Sequence, residues 1–477
     1  MRGSMRTLVL LGAALALSAC GVSRPYTTPE VAPPTLQNLT PDIGDTSRFD
    51  PRWWAQFQDP VLDALVVAAL DANTDVRQAV ARLDQARAFS DEVDRDRYPT
   101  VTVGASVDRR DQPIPGFSEE RREITTYRAG FDAFWELDLF GRVRSQMRAA
   151  AANAGALAAS LDDVRVSVVA EIARNYFELR GLQQQLTVLD QSLTNQRESL
   201  RLTTVRRDAG IGEEQDVASA AARVAATEAG IPPVRAALAR RQHRLAVLVG
   251  VRPGMLNADL SPRAYPPLAR ALAVGPPVEI LRRRPDVRAA ERQLAAATAI
   301  EGVAAASLYP RITLTGFLGF LAGRGSLFGN ADSVSWAVTP ALNWAAFDLG
   351  SARDRLRGAS AATREALARF DGVVLAALEE TETALVNYRE EQERLVKLVD
   401  QARESARAAG IARVRYREGA VDFLQLLDAE RTELQAQEAV AQAEAGVFTS
   451  VVAVYKALGG LEAGGSGTNR DPSRSEK

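Results

Sequence analysis

Among 477 residues the chain has one cysteine, Cys20, and one histidine, His243. A single thiol excludes internal disulfides and thiolate metal clusters. The lone imidazole lies in the basic helical stretch "ALARRQHRLAVL" with no partner constellation around it. It reads as an ordinary helical side chain rather than a catalytic or metal-binding one. Positive charge is not in excess either: 58 Lys+Arg against 60 Asp+Glu give a net charge of −2, which argues against a nucleic-acid surface. No phosphate loop is present, since "GRGSLFG" (Gly323–Gly329) falls between strand patterns, and the carboxylates sit at helix-surface spacings. An enzyme is therefore the weakest class, and neither a metal nor an organic cofactor is expected.

Long hydrophobic runs are missing too. The run "LVLLGAALAL", after Arg2 and Arg6, is too short to span a bilayer. Basic start, short apolar core and the small residues of "LSAC" make residues 1–19 a secretory signal, with Cys20 placed as the lipidated first residue of a bacterial lipoprotein. Residues 20–57 form a proline-rich linker suited to running from a lipid anchor, and 461–477 a disordered tail.

What is abundant is repetition. Asp75-Val76-Arg77 matches Asp286-Val287-Arg288 and Tyr98-Pro99 matches Tyr309-Pro310, both at an offset of 211. Trp135/Trp344, Gly141/Gly350, Gly210/Gly419 and Gly250/Gly459 follow at an offset of 209. So many landmarks in register mean a duplicated unit of about 200 residues rather than a many-repeat solenoid. The boundaries expected are 58–250 and 278–460, separated by an equatorial segment, 251–277. Each unit reads helix, strand, strand, long helix, return helix.

Strands are expected at about 98–108, 126–139, 309–320 and 334–348. In the first, Val101, Val103, Ala105 and Val107 alternate with Thr102, Gly104, Ser106 and Asp108; in the second, Tyr127, Phe131, Trp135 and Leu137 alternate with Arg128, Asp132 and Glu136. One face is thus apolar and one polar, with residues 109–126 read as a polar loop. Periodicity alone is compatible with a soluble sheet packed on a helix. The secretory signal and the aromatics near strand ends favour a transmembrane barrel. Four strands cannot close one, and open edges are not tolerated in lipid. Two copies would give a filled eight-stranded barrel, whereas three give twelve strands and room for a passage.

Segments 142–209 and 351–418 are almost free of Gly and Pro and read as rods on the order of 100 Å long at ~1.5 Å per residue. Their charge density forbids a membrane span. Val374, Leu378, Thr381, Leu385 and Tyr388 keep spacings of four and three, a coiled-coil seam. Return helices are expected at 213–249 and 421–459, and a further helix at about Val278 to Ser307.

"RYREGAVDFLQLLDAER" (Arg415–Arg431), "LRRRPDVRAAERQL" (Leu281–Leu294), "LYPRITLTG" (Leu308–Gly316) and "WELDLFGRVR" (Trp135–Arg144), with the lipobox and the duplication, resemble the TolC/OprM family of bacterial outer-membrane efflux channels, of the NodT type. The resemblance covers essentially the whole mature chain. It implies a mixed α/β homotrimer: a twelve-stranded transmembrane barrel in the outer membrane, continuous with a twelve-helix periplasmic tunnel. It also implies palmitate and other lipid on Cys20, and work with a periplasmic adaptor and a proton-driven inner-membrane pump of the RND type. The entrance gate would lie at the Gly419 turn: Leu424 as an apolar ring, Asp428 as a carboxylate ring, and Arg431 and Tyr416 holding neighbouring helices. Glu213 and Glu214 would add negative charge. The first-unit tip departs from this pattern, with Ser219 and Ala222 where Asp428 and Arg431 would match. The function implied is a passive exit duct for drugs and other toxic small molecules. Alternatives are the exit duct of a type I protein or peptide secretion system, or a lipid-anchored periplasmic scaffold without a pore.

Overall fold

The computed structural model describes residues 25–30, 35–46, 49–114, 118–266, 268 and 271–460. The signal peptide, Cys20 and the tail 461–477 lie outside the described residues. Two compact units are built from interleaved pieces of chain: Met1–Glu30, Arg82–Ala158 and Ala289–Asp371 in the first, Val31–Ala81, Ala159–Arg288 and Gly372–Lys477 in the second.

In chain order the elements are β1 (Gly44–Asp45), α1 (Pro60–Ala72), α2 (Thr74–Arg95), β2 (Thr100–Ile114), β3 (Ser118–Leu137), α3 (Arg142–Asp208), α4 (Glu214–Leu248), β4 (Leu272–Ala273), α5 (Pro277–Arg283), α6 (Pro285–Ala306), β5 (Arg311–Ala322), β6 (Val334–Asn343), α7 (Leu349–Arg417) and α8 (Phe423–Ala457). Two expectations are corrected. Strands β2 and β3 occupy most of the segment read as loop 109–126; Arg109 pairs with Glu123, and Arg121 with Asp111 at 3.3 Å, so the charges lie on paired strand. The helix expected at about Val278–Ser307 is broken at Arg284, where Pro285 removes a donor and forces the preceding residue out of helical geometry.

The first unit holds an antiparallel sheet in the order β2-β3-β5-β6, so β2 and β6 are its edges. Register fixes its faces. Val103 opposes Phe131, Phe131 opposes Leu318, and Leu318 opposes Trp336; one face is thus continuously apolar. Val103 and Trp336 on that face are 77% and 74% exposed, so no helix is packed over them as a soluble sheet would require. The other face carries Thr102, Asp132 and Ala337 in one row, but also Phe317. Arg128 pairs with Asp132 and lies 4.1 Å over the Phe317 ring. At the row Gly104–Gly130–Gly319, β3 and β5 come so close that a Cβ on Gly319 would lie 2.3 Å from the Ala129 carbonyl oxygen. Trp135 and Trp344, at matching strand ends, donate their indole N–H groups to the carbonyls of Arg97 (3.0 Å) and Leu308 (3.1 Å).

In the second unit β1 pairs with β4 in parallel. Nearby, Trp53 stacks on Tyr455 with centroids 5.2 Å apart, and Phe57 packs on Phe177 and Phe448. The α1/α2 break at Asn73 and the α5/α6 break at Arg284 use different chemistry for one joint. Asn73 caps α2 through the amides of Asp75 and Val76 and donates to the Leu248 carbonyl. Arg284, buried, pairs with Asp286 (2.7 Å) and Glu380 (2.6 Å) and donates to the Ala457 carbonyl. Among the described residues no helix is long and apolar enough to cross a membrane.

Candidate functional site

Both helical hairpins turn on a glycine in the left-handed region, Gly210 at φ 73° and Gly419 at φ 74°. Ile211 N donates to Arg206 O and Gly210 N to Arg207 O; Ala420 N donates to Arg415 O and Gly419 N to Tyr416 O. These are the paired bonds of a Schellman end, which needs a residue free of a Cβ penalty at that φ. Beyond the turns the hairpins differ. Asp422 caps α8 by accepting from Gln425 N at 2.9 Å, whereas Glu213, at the matching position of α4, makes no side-chain cap.

Tyr416 is buried. Its ring meets Phe423 across the turn at 5.6 Å, beside Ala220 and Leu426, and the Arg206 guanidinium lies 5.0 Å over it. Arg206 also donates to the Tyr416 carbonyl at 2.9 Å. Tyr416 therefore ties α3, α4, α7 and α8 together within one chain. Asp428 and Arg431 pair at 2.5 Å on α8, both more than half exposed, so Arg431's partner is on its own helix. Leu424, one turn before Asp428, is 58% exposed. Glu214 pairs with Arg207 at 3.1 Å. Burial raises the Asp216 carboxyl above its usual range, and Glu213 and Asp422 raise it further against Arg206. The two tips thus gather acidic groups at one place.

Five residues went unread in the sequence. Arg206 is the cation on Tyr416. Arg413 donates to Glu430 at 3.0 Å and to Glu433, and Ser199 donates to Glu430 at 3.0 Å. Glu430 is only 4% exposed, and burial pushes its carboxyl above the usual glutamate range against the lowering by Arg413 and Ser199. The signal was available: Phe423, Leu426, Glu430 and Leu434 keep seam spacing, so Glu430 is a charge in an apolar stripe. Among the described residues no group of three or more His, Cys, Asp or Glu side chains is placed to hold a metal ion.

The family model for outer membrane efflux proteins matches this chain twice, over residues 65–251 and 277–460. Nodulation protein T of Rhizobium leguminosarum bv. trifolii is 31% identical over 90% of this chain and 92% of its own length. The pyoverdine export outer membrane protein OpmQ of Pseudomonas putida is 31% identical over 95% of this chain and 97% of its own. The solved structure of the outer-membrane channel OprN superposes with a TM-score of 0.90 at 49% identity, covering 92% of this chain and 99% of that one. The chain belongs to the outer membrane efflux protein family, and it is an outer-membrane efflux channel, not an enzyme.

Proposed function

We propose that the chain is a duplicated unit, 58–250 and 278–460, of which three copies close their four-stranded sheets into one twelve-stranded barrel. The observation that carries this reading is the ribbon β2-β3-β5-β6, apolar and exposed on one face, with both edges open. Lipid tolerates no unpaired edge, so the edges pair with those of sister copies. The apolar face then meets lipid, and Thr102, Asp132 and Arg128 line the water-filled side. The lipid on Cys20 anchors each copy.

The long helices continue the passage into the periplasm, where the α7/α8 tips form its entrance. Leu424 supplies an apolar ring and Asp428 three like charges near the axis, which attract cations and repel anions. Arg431 partly neutralises them, and Glu213 and Glu214 add charge at the rim. Tyr416 packs the hairpin from within. The duct is passive; an inner-membrane pump of the RND type, joined through a periplasmic adaptor, supplies the energy. The cargo class is small toxic or exported organic molecules, in keeping with the pyoverdine export named for one relative.

Reconstitution of the purified protein into planar bilayers tests this directly. Small single-channel conductances are expected, rising when Asp428→Asn is combined with Arg431→Gln. Correctly folded trimers that pass no current would overturn the reading.

A further inference from the structure

Helix α8 has two opposed stripes near its start. Leu424, Asp428 and Arg431 are exposed, while Phe423, Leu426, Glu430 and Leu434 are buried. Asp428 and Glu430 are two residues apart, about 200° around the helix. Whatever grips Glu430 therefore sets where Asp428 points.

The grip is charged and spans three helices. Arg413 on α7 donates to Glu430 and Glu433 on α8, and Ser199 on α3 donates to Glu430. One guanidinium thus serves two carboxylates, with Arg413 one helical turn from Tyr416. Its planar fork suits this double contact; a lysine ammonium does not. The α3 stripe behind it is polar as well: Gln196, Ser199 and Thr203 are buried, and Gln196 Oε1 has no partner among the described residues.

The first hairpin is built otherwise. At an offset of 209, Arg413, Glu430 and Glu433 correspond to Thr204, Ala221 and Val224. Val224 lies in an apolar cluster with Val188, Leu189, Leu193 and Ile231. Its cross-helix ion pair, Arg197–Glu228, is about half exposed on both sides and holds little.

We propose that Arg413, Glu430 and Glu433 form a charge-dependent fastener that fixes the rotation of α8, and so positions Leu424, Asp428 and Arg431 at the constriction. This rests on the reading of those three residues as the gate. Removing Arg413 takes away the cation that ties both α8 carboxylates to α7, and so frees α8 to rotate. The fastener specifies geometry more than it adds stability.

The test is single-channel conductance of the full-length protein in planar bilayers, with assembly checked by native mass. Arg413→Gln should raise conductance about threefold or more, a coupling of ordinary size. Glu430→Gln should raise it less, since Arg413 then still faces one carboxylate. Arg413→Lys should be intermediate, and it covers the case in which Arg413→Gln fails to assemble. The exchanged pair Arg413→Glu with Glu430→Arg should return conductance toward wild type, which a purely structural role would not do. Unchanged conductance in assembled Arg413→Gln and Arg413→Lys overturns the fastener, provided Asp428→Asn with Arg431→Gln still opens the channel. If that combination is silent too, the gate reading itself fails and the fastener with it.

Discussion

Asp428 and Arg431 form an exposed pair, and an exposed pair contributes at most ~1 kcal/mol to stability. Asp428→Asn with Arg431→Gln should therefore leave the melting temperature within a few degrees of wild type while changing conductance. Glu430 is the opposite case. Arg413, Ser199 and Glu433 face it, yet burial leaves its carboxyl above the unfolded value. A raised folded value means the folded protein takes up the proton more readily. Its contribution is full below the unfolded glutamate range and is lost as pH rises through the folded value. The amide of Glu430→Gln mimics the protonated acid, so melting curves of wild type and variant should converge in acid, and wild type should fall behind as pH rises toward neutral. The residues of "RYREGAVDFLQLLDAER" were legible by resemblance, but Arg413 and Arg206 were not. Arg206 meets its partner Tyr416 from a helix 210 residues away, and Arg413 reaches Glu430 and Glu433 only once the Gly419 turn has folded α8 back onto α7.

At the scale of elements, alternation in β2 announced a two-faced strand, because a period of two has few other causes. Its upper end was misread because Arg109, Arg110, Asp111 and Glu123 look like loop. In the structure they lie on paired strand, where diagonal ion pairs replace the apolar alternation. The facing of β2 yields a paired prediction. Val103→Arg places a charge on the apolar face and should cost about 2–4 kcal/mol of membrane stability if it lies near mid-bilayer. Thr102→Arg, one residue away on the polar face, should insert normally and alter conductance instead. Heat-modifiable gel mobility in outer-membrane fractions reads both. The joint between paired helices yields another. Arg284→Ala removes a buried cation that links Asp286, Glu380 and the Ala457 carbonyl and should cost about 1.5–3 kcal/mol, whereas Asn73→Ala removes a cap worth ~1 kcal/mol. Chemical denaturation of the two variants should rank them in that order. This joint went unread in the sequence, where one helix is expected over about Val278–Ser307, although the 211 offset that matches Asp75 to Asp286 also places Arg284 opposite Asn73.

For the whole molecule, duplication was the readable feature. Tyr-Pro, Trp and Gly landmarks recur at nearly constant offset, and the glycines at both hairpin turns adopt the same backbone geometry. What one chain cannot express is closure. Its sheet ends in two bare edges, β2 and β6, and an apolar face stands in the open. In the proposed assembly, sheet curvature rather than any local motif sets how many copies join those edges. Gly130 and Gly319 let β3 and β5 approach closely, as the proposed barrel's curvature requires. The most direct measurement is therefore the native mass of the detergent-extracted protein. Three mature chains per particle are predicted; a particle of one chain, stable and folded in detergent, would contradict the account.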